Sequence, residues 1–179
     1  MALIENHPHQ VSIRYPTIDH HLCGGTIIHK NLIITTSSCV SSDTKIFYSN
    51  IKILIGTSDG LDLHASRIYE LTKNIEYSRL IYPAFLPSQD QRKIIFWVTG
   101  WGIDQEVNHP DGIYNSCRYL KKLELKWMTR GRCQAYYHQL HEHQMCSIGK
   151  SITSYITEGD AGSPVESYQS FRMLIGPWK

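Results

Sequence analysis

The residues best equipped for chemistry lie in the last third of the chain. His138, His141, His143 and Cys146 form a His-x-x-His-x-His-x-x-Cys run. Imidazole and thiolate are zinc-type ligands, and on a helix His138 and His141 would share one face. A polar surface segment whose cysteine is committed to a disulfide explains the run as well, and we favour it; neither a metal nor a cofactor is expected. A second run, Glu158-Gly159-Asp160-Ala161-Gly162-Ser163-Pro164, is a tight glycine-flanked turn carrying a carboxylate and a hydroxyl. Ser37, Ser38, Ser41 and Ser42 concentrate hydroxyls around Cys39, which a solvated turn explains. The pairs His7/His9 and His20/His21 read as surface loop residues. Lys121, Lys122, Arg130 and Arg132 make a modest basic patch that a solvated face accounts for.

The cysteines are Cys23, Cys39, Cys117, Cys133 and Cys146, and no two are spaced Cys-x-x-Cys. That argues against a zinc knuckle or a thioredoxin-like motif. Two disulfides with one thiol left over imply an oxidising compartment. The start, Met1 to Asn6, has neither the basic residues nor the apolar stretch of a secretory signal, and no Asn-x-Ser/Thr acceptor occurs. The formal net charge of +2 is too small and too dispersed to argue for nucleic acid or an anionic membrane. No apolar run is long enough for a membrane span.

The elements that must position these residues are short. Hydrophobic residues make up 41% of the 179 residues and charged ones 19%, so an ordered core is expected. Runs rich in β-branched and aromatic residues recur between turn signals. They are 10–14, 26–28 and 32–35 around a turn at 29–31, 51–55, 92–98, 120–126 and 171–175. This pattern predicts an all-β barrel or sandwich. One short helix is expected near Arg130 to His141. No repeat or linker divides the chain, so 1–179 reads as one domain.

Four blocks, in order, resemble the trypsin/chymotrypsin-like serine proteases (peptidase S1). Pro8 to Ile13 is similar to the family's first barrel strand. Cys23-Gly24-Gly25-Thr26-Ile27-Ile28 running on to Thr35-Thr36-Ser37-Ser38-Cys39 is similar to its Cys-Gly-Gly-Ser-Leu-Ile … Thr-Ala-Ala-His-Cys. Thr99-Gly100-Trp101-Gly102 matches its Thr-Gly-Trp-Gly, a structural turn at the seam between barrels. Gly159-Asp160-Ala161-Gly162-Ser163-Pro164 resembles Gly-Asp-Ser-Gly-Gly-Pro. The resemblance implies a trypsin-like double antiparallel β-barrel of two six-stranded barrels with the site at their seam. Part of the first barrel (a remnant, about 1–90) and the C-terminal end of the second (about 91–179) are expected to be missing.

Carried over residue by residue, the resemblance puts the catalytic base's position at Ser38 and the nucleophile's at Ala161. The stretch holding the third member, an aspartate, is deleted between Glu76 and Pro87. A hydroxyl nucleophile, an imidazole base and an orienting carboxylate are what the chemistry needs. The backbone N–H groups of Gly159 and Ala161 would remain as an oxyanion hole. Asp160 matches the aspartate that pairs with a new N-terminal amine on activation. The chain has no Ile-Val-Gly-Gly, so either the loop is zymogen-like and mobile or Asp160 finds another donor. Tyr155 falls at the floor of the substrate pocket. The implied disulfides are Cys23–Cys39 and Cys133–Cys146. Phe96 and Ser167 take both positions of one lost bridge, and Thr157 one end of another. Cys117 is expected to keep its thiol, with an intermolecular bridge as the alternative.

The resulting expectation is a secreted, monomeric, non-catalytic homologue that binds a protein partner: a protease, substrate or inhibitor. The alternatives are a family endopeptidase and a degenerate chain without independent function.

Overall fold

The alternating run at residues 10–14 forms a strand, but one buried on both faces. In a computed structural model, which describes residues 1–15, 20–41, 51–62, 64, 68–70, 73–86, 95–103, 116–142, 144–151, 155–167 and 170–174, this strand is β1 (Gln10–Arg14). Val11 and Ile13 enter the core with Ile27, Ile53 and Ile55. Gln10, Ser12 and Arg14 are equally buried on the other face. Burying polar groups is tolerable only when they are hydrogen-bonded. Gln10 accepts from the Thr99 hydroxyl at 2.8 Å, Ser12 meets His21 at 2.7 Å, and Arg14 donates to the Gly60 carbonyl at 2.9 Å. A strand with one apolar and one polar face normally shows the polar one to water. Here it is turned towards the second half of the molecule.

The first sheet also contains β2 (His21–His29), β3 (Leu32–Ile34), β4 (Lys52–Ile55) and β5 (Ile68–Glu70), in the order β3-β2-β1-β4-β5. The β2–β3 hairpin turns at Lys30-Asn31, inside the expected turn. The second sheet contains β6 (Ile95–Gly100), β7 (Lys121–Trp127), β8 (Ser147–Gly149), β9 (Pro164–Ser167) and β10 (Ser170–Leu174), in the order β10-β9-β6-β7-β8. All these pairings are antiparallel. Phe96, Val98, Leu125 and Val165 form its core, and Phe96 stacks on Trp127 with centroids 4.0 Å apart.

The all-β expectation therefore holds, with two antiparallel sheets where the resemblance implies two barrels. Five strands per sheet, not six, lie among the described residues. The expected strands at 10–14, 26–28, 32–35, 51–55 and 120–126 are present within a residue or two, apart from β2, which begins five residues early. Of 92–98 and 171–175, residues 92–94 and 175 lie outside the described residues. β5, β8 and β9 were not expected. Each has only three or four residues, too few to display a period, and their edges come from pairing with a longer neighbour.

The helix is shorter than expected: α1 is Arg130–Tyr136, started by Thr129, whose side chain accepts from the Arg132 N–H. Beyond it the chain folds back. Arg130 donates to the carbonyls of Leu140 and Glu142 at 3.0 and 3.2 Å, and Cys133 is bridged to Cys146. A loop closed in this way cannot extend as a helix.

Candidate functional site

The turn at residues 158–164 sits between the sheets, and glycine lets it approach β2. A Cβ on Gly24 would collide with Ser163, and one on Gly162 would strike the Gly24 carbonyl. Gly162 also has φ +81°, and Gly159 φ +90°, the left-handed region that side chains disfavour. The Gly24 N–H donates to the Ala161 carbonyl at 2.8 Å. The Ala161 methyl packs against the first core.

Asp160 does find other donors. Its carboxylate accepts from the N–H groups of Thr157 and Gly102 at 2.9 and 3.0 Å, and the Thr157 hydroxyl lies 3.3 Å away. Its own N–H returns to the Thr157 carbonyl at 3.1 Å. The two ends of the turn thus bond each other, Asp160 to the Thr157 backbone in both directions. No cation pairs with Asp160 among the described residues. Burial accordingly pushes its carboxyl above the ordinary range, against the hydrogen bonds that favour the anion. Thr157, expected at one end of a lost bridge, supplies both an N–H and a hydroxyl here.

His21 holds the loop from the opposite side. Its Nε2 lies 2.9 Å from the Gly159 carbonyl and its Nδ1 2.7 Å from the Ser12 hydroxyl. A carbonyl only accepts, so Nε2 carries the proton and Ser12 donates to Nδ1. The ring lies against Trp101, with centroids 5.8 Å apart. Burial is the main reason its pKa falls from 6.5 to about 4, so near neutral pH the imidazole is uncharged. His21 is thus a buried strand residue and not the surface loop residue expected. His7 is also buried, and His7 and His9 both face Glu166 on β9, at 2.8 and 3.3 Å. The surface reading fails because β1's polar face and the segment before it are covered by the second sheet.

The Cys23–Cys39 bridge is formed, with Cα atoms 5.9 Å apart. It brings Cys39 Sγ within 3.6 Å of the Ala161 carbonyl. Ser38, in the short 3-10 turn Ser37–Cys39, is therefore beside the loop. It is exposed, with its hydroxyl 3.2 Å from that of Thr36. Near the expected deletion the chain reverses in a turn closed by Ser78 and Ile81, whose N–H groups each reach the other's carbonyl. Among the described residues the Gly159 and Ala161 N–H groups have no protein acceptor. Tyr155 is half-exposed.

Other expected residues fall elsewhere. Cys133–Cys146 is formed, with Cα atoms 5.8 Å apart. Cys117 is buried and outside both disulfides, its N–H donating to the Gly102 carbonyl at 2.9 Å. Phe96 is a core residue. The β6–β9 register, Trp97 to Glu166 and Val98 to Val165, extends to put Phe96 opposite Ser167. Thr99 and Gly100 end β6, so only Trp101 and Gly102 leave the strand. His138 and His141 lie past the end of α1 and are exposed, so they share no helical face; His143 lies outside the described residues.

Sequence reasoning missed Ser12, His21, Thr157 and Glu166. Thr157 entered only as one end of a bridge, and its bonds to Asp160 depend on the folded turn. His21, two residues before the first cysteine, carried no signal.

Two antiparallel sheets with a glycine-framed loop of this kind at their seam define a protein built on the serine-protease plan. The trypsin family model matches residues 2–176, and the chain belongs to that family, whose members are serine-type endopeptidases. It is 25% identical to ovochymase of Halocynthia roretzi over 92% of the chain and 12% of that protein. It is 27% identical to coagulation factor XI of Bos taurus, over 88% of the chain and 29% of that protein. The chain thus spans less than a third of the length of these two relatives. It is 24% identical to tryptase of Mus musculus over 88% of the chain and 68% of that protein. The solved structure of neuropsin, a serine protease of mouse brain, superimposes with a TM-score of 0.73 at 15% identity, covering 95% of this chain and 82% of that one.

Proposed function

We propose that this chain is a non-catalytic serine-protease homologue that acts by binding a protein partner. The observation that carries the reading is Ala161. The loop around it is held from three sides, by Gly24, by His21 and by the Asp160–Thr157 turn, yet the residue at its tip has no attacking atom. Ser38 stands where a base is needed, and its hydroxyl cannot accept a proton near neutral pH. No carboxylate occupies the deleted stretch to orient an imidazole. Acyl transfer needs all three.

The nearest alternative nucleophile is Ser163. It is fully buried, with Gly24 packed directly over its hydroxyl, so no substrate carbonyl reaches it. What the loop retains is two backbone N–H groups without a protein acceptor, at Gly159 and Ala161, suited to a carbonyl or carboxylate oxygen. A protease, protease substrate or inhibitor presenting such an oxygen is the partner class that fits. The two disulfides support an extracellular setting.

A fluorophosphonate probe, which labels activated serines, tests the proposal. The folded chain should remain unlabelled at concentrations that saturate an active relative. Labelling that disappears on denaturation would refute it.

A further inference from the structure

The first sheet ends in two edges that border one core. Its order is β3-β2-β1-β4-β5, antiparallel throughout, so β3 and β5 run in the same direction. Ile33 from β3 and Tyr69 from β5 both pack against the cluster that holds Ile27, Ile53 and Ile55, and both are only partly buried. Leu32, at the start of β3, is half-exposed. The segment after β5 adds Ile75 and Ile81 to the same core. The Ile75 N–H donates to the Lys30 carbonyl at 2.6 Å, in the hairpin turn before β3 begins.

The direction of the edge groups follows from the ladder. In an antiparallel pair, opposite residues either exchange both bonds or both turn away. The Ile27 N–H donates to the His9 carbonyl at 2.9 Å, and the Ile27 carbonyl accepts from Ala84 at 2.8 Å, so Ile27 turns away from β3. Ile33 stands opposite Ile27, and its N–H and carbonyl therefore point out from the edge. The alternation carries across the sheet. Gly24 gives its N–H to Ala161 and not to Ser12 opposite it, so Ser12 turns to β4 and faces Leu54. Leu54 then turns away from β5. Ile68, opposite Leu54, points outward, as does Glu70 two residues on. Among the described residues, none of these three has a backbone partner on its outer side. Such an edge is a template for another strand.

We propose that the first sheet accepts a strand from another protein, which enters between β3 and β5. The occupant is an extended segment, not yet part of a sheet, that pairs antiparallel with both edges at once. One segment suffices because β3 and β5 run the same way. Its alternate side chains, apolar or β-branched, cover Ile33 and Tyr69, and the others face water. A second folded copy does not fit: each of its own edge strands is already paired on one side and satisfies a single edge. Lys30, exposed at the hairpin turn and without an acidic partner among the described residues, favours an acidic residue at the carboxyl end of the segment. One strand is also the difference between the five described in this sheet and the six that the resemblance implies. This is a mode of binding for the partner role proposed for the chain, through a surface other than the loop at Ala161. Labelling at Ala161 and pairing at the edges therefore succeed or fail separately.

Amide hydrogen exchange on the full chain tests this, with a synthetic peptide as the probe. The peptide has about six residues, the usual strand length, alternating threonine and valine and ending in aspartate. In the free chain the Ile33, Ile68 and Glu70 amides should exchange without protection. At about ten times the half-saturating peptide concentration they should exchange about tenfold more slowly, because only the unbound fraction is open to solvent. A peptide with proline at its central valine lacks a ladder donor and should protect none of them. Ile33→Pro removes an outward N–H and no bond to β2, and should weaken the protection at Ile68 and Glu70. If that variant does not fold, the comparison of the two peptides on the native chain decides alone. Protection of these amides in the free chain would overturn the proposal, since the edges would then be paired within the chain or, where protection grows with protein concentration, between copies. No slowing at any peptide concentration, slowing at one edge only, or equal effects of the two peptides would also overturn it.

Discussion

Acidification should destabilise the fold through His21, and the size of the effect follows from its surroundings. The ring is buried, neutral and fixed between the Ser12 hydroxyl and the Gly159 carbonyl. Its pKa is lowered from 6.5 to about 4. Above 6.5 neither the folded nor the unfolded chain binds a proton here, and the full contribution is present. As the pH falls below 6.5, the unfolded chain takes up the proton first, so folding loses stability until about pH 4. At 1.36 kcal/mol per pH unit the whole interval amounts to roughly 3 kcal/mol, and the part down to pH 5 to about 2 kcal/mol. Glu166, lowered from 4.5 to about 2, loses its contribution only below pH 4.5, so it does not enter the interval from pH 6.5 to 5. The assay is urea denaturation at pH 7.5, 6 and 5, extrapolated linearly to water. The control is His21→Gln, whose amide can donate to Gly159 and accept from Ser12 but does not titrate. The native chain should lose about 2 kcal/mol more than the variant between pH 6.5 and 5. Parallel curves for the two proteins would refute the reasoning.

Two further outcomes follow from the loop. Ala161→Ser should restore no measurable peptidase activity, because on the proposed reading Ser38 leaves the new hydroxyl without a base; inhibitor-sensitive hydrolysis of a peptide ester by this variant would contradict it. Gly24→Ala should lower stability by about 1–3 kcal/mol, the usual cost of overpacking, because its methyl meets Ser163 and the Ser163 backbone; an unchanged urea midpoint would show that β2 and the loop are less closely apposed.

Much of the fold was legible because its long strands carry their own signals. Ile51 to Ile55 and Leu120 to Lys126 show β-branched and apolar periodicity that survives in β4 and β7. The three-residue strands β5 and β8 exist only through pairing with neighbours, which is tertiary information. The disulfides and the position of Ala161 came from motif order. The surroundings of Ala161 did not, because they are built by residues distant in sequence: His21 reaches Gly159 across 138 positions. Histidine has no strong burial preference of its own, so pairs such as His7/His9 look like surface until their carboxylate, 159 residues away from His7, is known.

The same distinction bears on how the loop around Ala161 is held. A loop kept only by descent need not retain internal partners for its buried carboxylate, since an unpaired one costs several kcal/mol or is neutralised. Asp160 has them in Thr157 and Gly102. The neighbouring carbonyls, Gly159 to His21 and Ala161 to Gly24, are satisfied as well. Among the described residues the Gly159 and Ala161 N–H groups have no protein acceptor. On the proposed reading, two such donors beside Ala161 favour holding an oxygen over transforming it, and this ties the proposed binding role to Ala161 itself.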